Sequence, residues 1–142
     1  MTGILLVALG SAVGGVCRLL LSRGLLHMLG DVFPWAIFLV NVSGSFLIGY
    51  FTGSRLPSPQ QLLLTTGFCG GFTTFSTFSF ELLDLMRRGE TGKAGLYAVA
   101  SVIVCVAATW LAAAAGQGAV LVRHALRGHI VRERDRPPIF HR

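Results

Sequence analysis

Four long apolar runs divide this 142-residue chain and leave almost no room for anything else. They cover about residues 4–21, 35–53, 62–86 and 96–122. A helix needs roughly 20 apolar residues to cross about 30 Å of hydrocarbon. Each run is near that length. The connections are short, and one holds the breakers Pro57-Ser58-Pro59. The chain therefore reads as an all-α membrane protein with four transmembrane helices and both termini on one side. Charged residues make up 13% of it, about half the usual share for a soluble domain, which excludes an enzyme with a hydrated surface. A hydrophobic content of 53% excludes a disordered chain. Ala8-Leu9-Gly10-Ser11 resembles a cleavage site, but no basic segment precedes it and the apolar run continues past it. The first run is thus a span and not a removed leader.

The charges are unevenly placed. Residues 1–122 hold six cations against four carboxylates, whereas residues 123–142 hold six arginines against Glu133 and Asp135. This divides the chain into a four-span body, 1–122, and a basic tail, 123–142, expected to be disordered. Alternating spans put Arg23, Arg87, Arg88 and Lys93 on one side, with Arg18 near them, and Arg55 with the tail arginines on the other. The bias that sets orientation is weak, which is compatible with insertion both ways up or with one orientation set by the tail. Cys17, Cys69 and Cys105 each lie inside a span with no ligand spacing, and read as packing residues rather than a disulfide or metal site.

Polar residues inside spans carry the functional information, because each is costly unless it faces protein or water. In the second span Asn41, Ser45, Gly49 and Gly53 fall at four-residue spacing on one face. The small residues suit close helix packing. Asn41, near mid-span with two donors and an acceptor, fits either an interhelical bond or a ligand contact. In the fourth span Tyr97, Ser101, Cys105 and Thr109 repeat at the same spacing, as a packing face or a polar track beside an aqueous path.

The third span is the least ordinary. Residues 67–81 read GFCGGFTTFSTFSFE. Gly70-Gly71 at mid-membrane is a poor helix interior, so an interruption is expected near residues 70–74. Broken backbone at that depth is tolerated only inside protein or along a cavity. Its carbonyls can hold a small cation such as sodium, although a plain kink needs no ion. Thr73, Thr74, Ser76, Thr77 and Ser79 then interleave with Phe72, Phe75, Phe78 and Phe80. Hydroxyl donors and positive phenyl edges, with no lysine or arginine, make a weakly electropositive path. Weak multi-site binding of that kind suits conduction of a small, strongly hydrogen-bonding anion.

The run 67–81, Gly44 within FLVNVSGSFLIG at 38–49, and Gly14-Gly15-Val16-Cys17-Arg18 together resemble the CrcB/Fluc fluoride channels over residues 3–122. The resemblance implies an antiparallel dual-topology dimer of cell-membrane subunits with two fluoride paths. It implies a structural, untransported sodium ion on the backbone carbonyls of Gly70 and Thr73. It puts Asn41, Phe75, Ser76, Thr77, Phe78, Ser79, Tyr97 and Ser101 along the anion path and Arg18 in a vestibule. Glu81 matches a family acid without an assigned role, and Cys105 stands where a second serine is expected. The implied partners are fluoride, the bilayer, and a second copy or a paralogous chain inserted oppositely, with no nucleic acid and no enzymatic activity. Two alternatives remain at this point: a small dual-topology drug/proton antiporter, which wants a mid-span carboxylate, and a membrane assembly subunit without transport.

Overall fold

The computed structural model describes residues 1–134, with side-chain surroundings through residue 126. The elements are α1 (Thr2–Leu29), α2 (Trp35–Gly53), α3 (Ser58–Gln61), a π-helical stretch (Leu62–Cys69), α4 (Gly70–Phe72), α5 (Phe75–Arg87) and α6 (Thr91–Arg134). Among the described residues there is no strand. Helices α1, α2 and α6 are each long and apolar enough to cross a membrane. The third apolar run, expected as one span, folds instead as shorter pieces, residues 58–72 followed by α5. The chain is a multi-pass membrane protein. Helix α6 runs through the expected boundary at residue 122 and continues to Arg134, where a disordered tail was expected. Residues 135–142 of that tail lie outside the described residues.

Glycine decides how closely these helices pack. A Cβ on Gly10 would run into the Leu63 carbonyl and one on Gly14 into the Phe68 carbonyl, so α1 lies against the π-helical backbone itself. Gly49 and Gly53 bring α2 equally close to the backbone of Thr109 and Ala113 in α6. The expected small-residue stripe on the second span is therefore a packing face. Thr109 completes it, its Oγ1 donating to the Ser45 carbonyl at 3.0 Å. In apolar surroundings such close backbone approach gains dispersion contact that a larger side chain would block.

The buried cluster sits toward one end, where Phe78 and Leu85 of α5 meet Ile37, Ala94 and Tyr97. The outer faces of α1 and α6 expose leucine and valine along their length, which suits lipid or a second chain.

Candidate functional site

The third crossing is interrupted at Thr73 and Thr74, whose backbones are extended (φ −82°, ψ 157° and φ −149°, ψ 115°). The expected interruption is present, but Gly70-Gly71 is not its hinge. Gly70 is helical at φ −64°, ψ −37°. Gly71 serves packing instead, since a Cβ there would meet the Ser11 carbonyl of α1. The extended angles at the break are open to any residue. What holds them is hydrogen bonding.

Asn41 supplies it. Its Nδ2 donates to the Thr74 carbonyl at 3.1 Å, and its Oδ1 accepts from the Thr74 N–H at 2.9 Å. One side chain thus satisfies both backbone groups of the most extended residue. Thr74 then caps α5. Its Oγ1 accepts from the Thr77 N–H at 3.2 Å, and lies 3.1 Å from Ser76 Oγ and 3.0 Å from Thr77 Oγ1. Threonine is a favoured cap because its oxygen satisfies a donor the helix cannot.

These bonds have a consequence for the carbonyls before the break. In an uninterrupted helix the Thr74 N–H would close on Gly70, and the Thr77 N–H on Thr73. Both donors are diverted, the first to Asn41 and the second to the Thr74 hydroxyl. Gly70 is also exposed, with no neighbour within 4 Å of a Cβ position.

A cleft of about 310 Å³ opens beside the break, lined in part by Asn41, Gly70, Thr73, Phe75, Phe78 and Ser101. Phe75 stands 79% exposed at its edge. Its ring lies 5.4 Å from that of buried Phe78, which in turn lies 5.0 Å from Tyr97. Ser101 is 7% exposed, and its hydroxyl has no partner among the described residues. A buried hydroxyl without a partner is a cost that something else must offset.

The family model described as CrcB-like protein, Camphor Resistance (CrcB), matches residues 5–116. The chain belongs to this family. Relatives of the CrcB-like chain include proteins named Fluoride-specific ion channel FluC in Geobacter sulfurreducens, 46% identical over 78% of this chain and 93% of the relative, and in Opitutus terrae, 42% identical over 80% and 92%. A third, from Nitrobacter hamburgensis and named Fluoride-specific ion channel FluC 1, is 45% identical over 75% and 89%.

Not every expected residue of this CrcB-like chain faces that cleft. Arg18 and Thr77 line a separate groove of about 590 Å³ with Ser11 and Ser22. Ser79 is exposed and bonds the Phe75 carbonyl one turn back, at 2.9 Å. Tyr97 is fully buried, and its hydroxyl donates to Glu81 Oε2 at 2.7 Å. Thr74, counted in the sequence only among the hydroxyls around the expected break, is the N-cap of α5 and the residue that Asn41 holds. Glu81, left without a role, is the fixed acceptor for Tyr97.

Proposed function

We propose that this chain is a passive fluoride-selective channel that lowers cytoplasmic fluoride. The observation that carries the reading is the exposed Phe75 beside a capped mid-membrane break, in a chain of this family. Hydrofluoric acid enters as a neutral molecule and dissociates inside, trapping fluoride. A channel lets the anion leave, helped by a negative-inside potential worth about 2.3 kcal/mol per charge per 100 mV. The path offers phenyl edges at Phe75 and Phe78, the unpartnered Ser101 hydroxyl and the Asn41 amide. None binds strongly, and release requires that. Arg18 with Thr77 provides a cationic approach, and the hydroxyls of Ser76 and Ser79 with buried Tyr97 continue the polar face of α5 and α6. The antiporter alternative loses support, because the carboxylate nearest mid-span, Glu81, is engaged by Tyr97.

The working unit is an antiparallel dual-topology dimer. A single chain leaves Phe75 and Gly70 exposed beside broken backbone, which lipid does not tolerate. A second copy, or a paralogous chain inserted oppositely, covers them. Carbonyl oxygens of Gly70 and Thr73 from both chains would then hold a structural sodium ion. The donor set fits, since hard cations take oxygen ligands and both carbonyls have lost their helical donors. A bound sodium supplies fixed positive charge between the two breaks. Fluoride efflux from proteoliposomes, with chloride as control, tests the function. Chloride efflux equal to fluoride efflux, or neither, overturns it.

A further inference from the structure

Helix α6 continues well past the rest of the molecule. Gly116 of α6 is seated against α2, where a Cβ would lie 2.8 Å from the Ser54 nitrogen and 2.6 Å from the Tyr50 carbonyl. Gly118 has no neighbour within 4 Å. Helix α2 ends at Gly53, whereas the apolar run of α6 continues to Val122. The family match also ends at residue 116, so the extension lies outside the part shared across the family.

Arg123 lies seven residues beyond Gly116, about 10 Å at about 1.5 Å per residue. The polar layer flanking the hydrocarbon is about 5–8 Å thick on each side. Arg123 directly follows the apolar run, and its long side chain can place the guanidinium among the phosphates of that layer. Arg55, exposed in the α2–α3 connection next to Ser54, stands at the same end. That end is poor in opposing charge. No carboxylate occurs between residues 32 and 80 or between 91 and 132. Asp31, Glu81, Asp84 and Glu90 belong to the opposite end, where Arg88–Asp84 (2.6 Å) and Lys93–Glu90 (2.7 Å) pair off. The basic end has no such pairing among the described residues.

We propose that Arg55 and Arg123 form a binding site for anionic phospholipid headgroups at this end of the molecule. Apolar neighbours favour lipid over nucleic acid as the occupant. Leu121 and Leu126, on either side of Arg123, are 70% and 60% exposed. Acyl chains and glycerol backbones cover such side chains while the arginines take the phosphates, whereas an RNA strand would leave them in water. Arginine suits the role because its planar fork meets two phosphate oxygens at once. Arginines adjacent to an anionic surface each raise affinity about fivefold. In an antiparallel pair each leaflet would carry one such site.

The test uses the full-length, delipidated protein in detergent, with lipids of identical acyl chains counted per particle by native mass spectrometry. The wild type should retain phosphatidylglycerol at least about tenfold more readily than phosphatidylcholine. The double variant R55Q/R123Q should lose that preference while keeping wild-type fluoride efflux and particle mass, which shows it folded. Equal retention of both lipids by the wild type, or an unchanged preference in the variant, overturns the site. Displacement of the bound lipid by inorganic phosphate at equal concentration overturns it as a lipid site. Displacement by a short RNA at lower concentration than the lipid assigns the surface to nucleic acid instead.

Discussion

The carboxamide of Asn41 bonds the backbone of Thr74 in both directions, donating at 3.1 Å and accepting at 2.9 Å. It does for one residue what a neighbouring strand does in a sheet. Because Thr74 also caps α5, a single pair joins α2 to the point where the third crossing resumes. Leucine at 41 keeps the size but leaves two buried backbone groups unsatisfied, at about 1–3 kcal/mol each. We expect Asn41→Leu to unfold at lower temperature in detergent and to conduct little fluoride. An unchanged melting curve for Asn41→Leu would mean that the break is held by something else.

Ser101 offers the opposite test. Its buried hydroxyl has no partner among the described residues, so Ser101→Ala removes no bond seen among them. Stability should be unchanged or slightly raised, while fluoride flux falls several-fold. A fall in stability with flux intact would make Ser101 a structural residue.

Phe75 and Phe78 separate in the same way. Phe75 is exposed and Phe78 buried. Phe75→Ile should cut fluoride efflux strongly with little effect on the melting of the chain, whereas Phe78→Ile should lower both. Substitution of Phe68, which stacks on Phe72 at 5.6 Å, or of exposed Phe80 should affect efflux less. Normal efflux through both Phe75→Ile and Phe78→Ile counts against the assigned path.

Gly44 abuts the break, where a Cβ would strike Thr73 Cγ2 and lie 3.1 Å from Phe72 Cδ1. Gly44→Ala should cost about 1–3 kcal/mol and reduce flux, because the overpacked site pushes on Thr73. Gly95→Ala, in open space on α6, should be neutral or stabilising by about 0.5–1 kcal/mol. Thermal unfolding of the two variants side by side checks this.

Sodium and dimerisation are tested together. Detergent-purified protein should elute as two chains per particle, and prolonged dialysis against sodium-free buffer should slow or stop fluoride flux although sodium is not carried. A conducting monomer, or flux indifferent to sodium, removes the central ion from the reading.

Sequence alone determined the four apolar runs, three of which fold as helices long enough to span, the position of the break to within a few residues, and the family. Hydrophobic run length sets span number, because the bilayer demands about 20 apolar residues of any helix. The run of residues 67–81 marked the third run as broken, because Gly70-Gly71 at its middle is a poor helix interior. Tertiary structure decided what holds the break. The glycine pair suggested a flexible hinge, yet Gly71 is small because α1 passes there, and the hinge belongs to Thr73 and Thr74. Asn41 remained equally suited to glue or ligand until α2 was seen to carry it to residue 74, 33 positions away. Glu81 gained its role only when α6 brought Tyr97 within 2.7 Å. Spacing along a chain records which residues share one helix face; which faces meet depends on close packing between helices distant in sequence, and only the folded molecule contains that.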